Sequence, residues 1–299
     1  MIKDLIRALR LPFASASALP FIFGSFIVRD NFRMLAFFLG FIAAVSTHLS
    51  ANLMNDYADS KSGADWQDRR FYGLFGGSKL IQEKVLPQDF YLKLAVFFAL
   101  IAVAAVLAIC FTLKGLCVFT FYLFILFLGW SYSHEPLQFS YHRLGEPVIF
   151  LLFGPALVMG GYFIQTGLFP DLKSFMLSLP FGFFTTAILF ANEVPDYPQD
   201  KAVSKMTWVS IVGVEKSYLL YFILMTLGFL SILINFFLSY LGGLSLAALF
   251  FLLPAFKATK ILKADYSDKI KLILSSRLTI AIQSSVSLLL IADILLCKR

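Results

Sequence analysis

Apolar residues run through this chain in long unbroken blocks, not in the interrupted stripes of surface helices. A helix crossing the roughly 30 Å hydrocarbon layer of a bilayer needs about 20 residues. Blocks of that order fall at 11–28, 34–54, 91–112, 115–133, 146–166, 174–194, 217–238, 241–262 and 278–296. The pattern predicts an all-α integral membrane protein with about nine transmembrane helices, forming one domain over 1–299.

Composition leads to the same class. Of 299 residues, 59% are hydrophobic and 14% charged, whereas a soluble domain carries about 25% charged residues. Lys3, Arg7 and Arg10 precede the first block, as they would in a secretory signal. Further spans follow instead of a cleavage site and soluble sequence, so the first block reads as a retained helix. Cys110, Cys117 and Cys297 have no C-x-x-C spacing and read as buried, inert thiols.

Charge gives the orientation. Assigning the N-terminus and every second loop to one side collects 19 of the 25 Lys and Arg residues there. By the positive-inside rule that side is cytoplasmic, with the N-terminus in and the C-terminus out. A multi-pass protein of the inner (plasma) membrane results. The net charge of +7 then reads as a topology and lipid signal, and nothing in it calls for nucleic acid. The carboxylates follow the basic residues: only Asp30, Asp171 and Asp293 fall on the opposite side.

Two of the cytoplasmic span ends share a pattern. The span 34–54 runs into "NDYADSKSGAD", where Asn55 and Asp59 stand four apart and the next acid of the row comes at Asp65 behind Ser62-Gly63. The span 174–194 runs into "NEVPDYPQDKAVSK", where Asn192, Asp196 and Asp200 recur every fourth residue. Residues four apart share a helix face. Two rows ending two spans four helices apart suggest two four-helix halves, with a ninth helix added. Carboxylates grouped this closely repel unless cations sit between them. Oxygen ligands of this kind suit Mg²⁺, which commonly fills its remaining positions with water and substrate phosphate oxygens.

These two stretches resemble the paired Asp-rich motifs of the UbiA-type intramembrane prenyltransferases. Three further details resemble the branch acting on 1,4-dihydroxy-2-naphthoate in menaquinone synthesis: the displaced acid at Asp65, the segment "FGGSKLI" at 75–81, and "YSHEPLQFSYHRLGE" at 132–146. The resemblance implies Mg²⁺ as cofactor, held by Asn55, Asp59, Asp65, Asn192, Asp196 and Asp200, with Asp56 as an outer acid. It implies a polyprenyl diphosphate and an aromatic acceptor as substrates, and catalytic roles for Asp59, Asp196 and Tyr132. Arg10 matches the family's diphosphate-binding arginine; Lys79, Lys201 and Lys205 are further candidates for the same group. Gln138 departs from the family's basic residue, and Arg143 is a candidate substitute.

Other readings remain open at this point. The acceptor alternatives are 4-hydroxybenzoate, homogentisate, chlorophyllide and haem. A secondary transporter would also show internal repeats and intramembrane acids, but its ionisable groups belong near the bilayer midplane, where these spans carry almost none. His48, four residues before Asn52, either reaches toward the polar cluster or is a satisfied buried histidine. Glycines at 63, 73, 76 and 77, and Pro195, Pro198 and Gly213, mark two cytoplasmic cap loops at 62–90 and 195–216. The lysine-rich stretch 257–277 reads as a membrane-surface helix or a solvated connector.

The orientation has a direct check. In a variant lacking the three native cysteines, Arg299→Cys is expected to react with a membrane-impermeant thiol reagent in intact cells, and Asp68→Cys only after permeabilisation. The reverse pattern would overturn the assignment.

Overall fold

The structure, a computed structural model, describes residues 2–113 and 115–297, leaving aside the Cys117 side chain. Its helices are α1 (Ile2–Ala8), α2 (Ser15–Phe26), α3 (Met34–Ser62), α4 (Gln88–Leu113), α5 (Cys117–Ser131), α6 (Gly145–Leu151), α7 (Leu157–Thr166), α8 (Leu172–Ala202), α9 (Trp208–Val212), α10 (Ser217–Phe237), α11 (Leu252–Ala264) and α12 (Lys269–Leu296). Among the described residues the only β feature is one isolated parallel bridge, His142 with Met206.

Every predicted apolar block holds a helix, but the count of nine membrane-length helices is not met. Among the described residues seven helical segments are long and apolar enough to span, and the N-terminal pair, bent by 47° around Arg10, makes an eighth when counted as one span. The remaining block yields α5, whose 15 residues rise about 22 Å at 1.5 Å each. Its two ends nonetheless lie at opposite ends of the bundle. Phe121 packs edge-on against Phe169 of the connection before α8, while Tyr132 lines a cavity at the other end.

Both motif-bearing helices run past their apolar blocks. The helix of block 34–54 continues to Ser62, where the first cap loop was expected to begin, so α3 has 29 residues. The one predicted to stop at 194 continues to Ala202, giving α8 31 residues and three internal prolines, Pro180, Pro195 and Pro198. At 1.5 Å per residue each is about 45 Å long and exceeds the hydrocarbon layer. The polar rows are therefore the projecting last turns of helices, and the second cap loop begins only at Val203. Each proline forfeits one backbone donor, which α8 tolerates because α2, α6, α7, α10 and α12 pack around it. The segment 257–277 is also corrected: α11 and α12 reach to within four residues of each other, leaving only the turn 265–268.

The connections sort to two ends. At one end Arg7 pairs with Glu83, Lys269 with Asp68, and the 139–144 segment with the 204–208 segment. At the other, Arg29 donates to the Leu295 carbonyl, the Arg33 N–H to Gln165, and the Gly242 N–H to Asp293. The first end gathers the cap loops and both motifs, as the alternation of basic loops requires.

Close backbone approach holds α2 against α7. A Cβ added at Gly24 would lie 2.1 Å from the carbonyl oxygen of Val158, and that atom belongs to a helix backbone with no room to yield. Gly24→Leu is expected to cost about 1–3 kcal/mol or more, seen as earlier thermal aggregation in detergent. A variant that melts with the parent would show that these helices move apart freely.

Candidate active site

A polar cavity of about 110 Å³ opens between the projecting ends of α3 and α8. All six residues of the two rows line it: Asn55, Asp59, Asp65, Asn192, Asp196 and Asp200. Arg10, Lys79, Lys205 and Tyr132 line it too. Two cations nominated from sequence do not reach it among the described residues. Lys201 and Arg143 are exposed, the former on the outer face of the last turn of α8, the latter with its guanidinium on the Met206 sulfur.

The α3 side is built by one turn. Ser62 ends the helix, and Gly63 follows at φ +92°, a left-handed conformation that costs glycine little. The chain bends there into a short 3-10 turn that carries Asp65 back to the cavity; an unbroken helix would have turned it about 240° off the row. Lys79 Nζ donates to Asp65 Oδ1 at 2.8 Å and to its carbonyl at 3.1 Å. Asn55 Nδ2 donates to Asp59 Oδ2 at 3.0 Å and to Ser133 Oγ at 2.8 Å. Asp56 sits behind the row, accepting the Ser78 N–H at 3.1 Å and facing Arg10 at 3.6 Å.

The α8 side meets it through a lysine and a glycine loop. Lys205 Nζ stands 3.5 Å from Asp59 and 3.4 Å from Asp200, one ammonium bridging both motifs. The Gly76 N–H donates to Asp196 Oδ2 at 2.9 Å. At the next residue a Cβ would stand 2.6 Å from Asp65 Oδ2, so the "FGGSK" backbone lies directly against both rows. Burial pulls the Lys205 ammonium down, yet the Asp200 and Asp59 charges outweigh it and hold it well above the usual lysine range. Burial and the Asp59 charge push Asp65 up to about 7, against the pull of Lys79. With lysines between them, no three His, Cys, Asp or Glu side chains among the described residues converge as a ready metal cluster.

Several contributors are invisible in the motifs. Tyr141 donates its hydroxyl to Asp59 Oδ1 at 2.8 Å and is 2.6 Å from Ser62 Oγ. The loop bearing it is laced to the loop bearing Lys205: the Arg143 N–H donates to the Met206 carbonyl at 2.8 Å, and the Met206 N–H to the Tyr141 carbonyl at 3.1 Å. Glu146 Oε1 closes this ladder by accepting the Trp208 N–H. Glu193 reaches the cavity from α8, and Asp68 and Lys269 line its rim. The only sequence signals for them were the "YHRLGE" stretch and the buried acid beside Asn192. His48 does neither thing expected of it: its ring meets Phe153 edge-on, and both ring nitrogens are buried without a hydrogen bond.

Residues 17–276 match the model of the UbiA prenyltransferase family. The chain belongs to that family. Relatives include the UbiA prenyltransferase domain-containing protein 1 of Xenopus tropicalis, 28% identical over 231 residues covering 75% of this chain and 64% of that protein. The Homo sapiens protein of the same name is 29% identical over 196 residues, covering 63% and 54%. The chain thus spans under two thirds of the length of these relatives. Among solved structures, a UbiA homologue from Aeropyrum pernix K1 superposes with a TM-score of 0.72 at 13% identity, covering 93% of this chain and 97% of that one. A UbiA homologue from Archaeoglobus fulgidus bound to DMAPP and Mg²⁺ gives 0.66 at 16% identity, covering 94% and 98%. At such identities the structures establish a shared UbiA fold.

The raised Asp65 carboxyl makes the UbiA-family site pH-sensitive. In the fold it keeps its proton up to about pH 7, whereas the unfolded chain releases it near 3.8. Metal-free protein therefore loses stability on this account as pH rises from about 4 to 7. Asp65→Asn is expected to flatten that part of the Tm profile in detergent and chelator. An unchanged slope would place the titration on another group.

Proposed function

We propose that this UbiA-family protein transfers a polyprenyl group from its diphosphate to an aromatic acceptor, 1,4-dihydroxy-2-naphthoate, with loss of CO₂, in menaquinone biosynthesis. One observation carries the reading: two rows of oxygen ligands from repeated motifs, interleaved with Arg10, Lys79 and Lys205, close on a single cavity at one end of an apolar bundle. The branch-like features at 75–81 and 132–146 support the acceptor, since both segments build this site.

The donor set fits Mg²⁺. It consists of carboxylate and amide oxygens, and Asn192 Oδ1 is buried with no partner, an acceptor waiting for a cation or a donor. Asn55, Asp59, Asp65, Asn192, Asp196 and Asp200 would hold the metal, which when bound supplies positive charge to the leaving diphosphate. The Archaeoglobus fulgidus homologue, bound to DMAPP and Mg²⁺, is consistent with that role.

The chain's own groups would act around it. Arg10, Lys79 and Lys205 stand where negative charge develops as the prenyl C1–O bond breaks and the diphosphate oxygen keeps the electron pair. Asp68, Tyr72, Phe75, Gly76 and Gly77 line the cavity from the first cap loop, and a cap there excludes water that would quench an allylic cation. Tyr132 lines the cavity, where an aromatic ring can stabilise that cation. The acceptor ring carbon then forms the new bond and releases its carboxylate as CO₂. Its polar groups need partners on the membrane side of the rows. His48 and Thr185, on α3 and α8, are buried there with hydrogen-bonding atoms unmet, seven residues before Asn55 and Asn192 respectively.

Two experiments test this. Purified protein with Mg²⁺, a polyprenyl diphosphate and a panel of aromatic acceptors is expected to prenylate the dihydroxynaphthoate, with the product lighter by CO₂ in mass analysis. Product from a different acceptor alone would move the assignment to another branch, and diphosphate release from no acceptor would favour a carrier. In the same assay Asp196→Ala is expected to lower turnover by about 10²–10³ with unchanged elution on size exclusion. Activity within about threefold of the parent would remove Asp196 from the metal set.

A further inference from the structure

Lysine is an unfavourable residue at the start of a helix, because unpaired N–H groups already make that end positive. Yet α12 begins "KIK", with Lys269 at its first position. Lys271 is offset locally, 2.6 Å from Asp265. Lys269 is not: its side chain reaches away from its own helix to the rim of the cavity between α3 and α8. A local rule broken at one position, with the side chain delivered to a site, marks function more often than accident.

Its partner there is Asp68, 2.8 Å away. Asp68 belongs to neither oxygen row. It also accepts the Tyr72 hydroxyl at 3.0 Å, the Arg70 N–H at 3.1 Å and the Gln199 amide at 3.5 Å, so it ties residues 66–78 to α8 and α12 at once. The two side chains keep 20% and 25% of their exposure, and a pair this wet is held weakly. Lys79 and Lys205, by contrast, are 3% and 13% exposed and lie against row carboxylates.

We infer that Lys269 is a fourth diphosphate-binding cation, parked on Asp68 at rest and transferred to the substrate's diphosphate when it enters. The inference rests on the diphosphate reading above and adds a regulation to it. A diphosphate offers more charge and more acceptor oxygens than one half-solvated carboxylate, so the exchange runs toward substrate. When Lys269 leaves, Tyr72 and Gln199 still hold Asp68, so the first cap loop stays tied to α8 as the cation moves. Asp68 is then a competitor of the substrate, and the two partners carry opposite predictions.

The test is calorimetric titration of the purified full chain with inorganic pyrophosphate in the presence of Mg²⁺. Lys269→Met is expected to weaken binding about tenfold or more, the scale of a lost charge-assisted hydrogen bond, while Lys269→Arg stays within about threefold of the parent. Asp68→Asn is expected to tighten binding by about threefold or more. Parent-like binding by Lys269→Met would overturn the inference, as would weakening by Asp68→Asn equal to that of Lys269→Met, the result of a merely structural tie. If the parent itself binds no pyrophosphate, the diphosphate reading falls, and this inference with it.

Discussion

Five carboxylates, Asp56, Asp59, Asp65, Asp196 and Asp200, stand together at the edge of an apolar bundle, and the rest of the molecule answers to their repulsion. Three cations meet them in the fold: Arg10 at Asp56, Lys79 at Asp65, and Lys205 between Asp59 and Asp200. Each cation comes from a different connection, so the loops are fixed by charge as much as by packing. Asp196 has the Gly76 N–H instead. Such an arrangement is stable when filled by the chain's own cations and remains attractive to a more concentrated charge.

Long helices make this possible. A carboxylate within the hydrocarbon layer is costly, whereas one on a helix that overruns the layer reaches water and loop dipoles while keeping the helix's rigidity. Both rows use that solution: α3 and α8 are extended by about two turns beyond their apolar blocks. The rigid rows set the spacing of the ligands, and the cap loops supply adjustable donors. The ladder between Tyr141–Arg143 and Met206, closed by Glu146 on Trp208, then fixes Tyr141 and Lys205 relative to each other. One residue orients Asp59 and the other neutralises it, so lacing their loops keeps both roles in register.

Much of this was legible in the chain. Apolar blocks gave the helices because lipid demands continuous hydrophobicity, and the four-residue step of Asn192, Asp196 and Asp200 gave a shared face because helix geometry leaves no other. The displacement to Asp65 was legible through Gly63, a turn residue placed where a turn was needed. The end of α8 was not, since polarity after 194 marks the end of the membrane and not of the helix. Prolines at 195 and 198 reinforced that error, as enclosure by neighbouring helices overrode their local preference. Nor were the contacts of Tyr141, Glu146 and Lys269 legible. Their partners lie 82, 62 and 201 residues away, and no local pattern encodes a contact at that range.

Lys201 and Lys205 show how narrow the margin is. Both are lysines just past Asp200, and the sequence placed Lys201 ahead of Lys205 as a candidate, the reverse of what the fold does. The difference is the backbone. At Lys201 the helix still runs, and a step of one residue beyond Asp200 turns its side chain about 100° off the row. By Lys205 the helix has ended; Ser204 takes φ +58°, and the Lys205 N–H returns to the Asp200 carbonyl at 2.8 Å. That reversal doubles the chain back over the end of α8 and sends the Lys205 ammonium between the two rows. The position of the Lys205 charge between the two rows is decided by where one helix stops, and the ladder to Tyr141 holds the chain in place just after it stops.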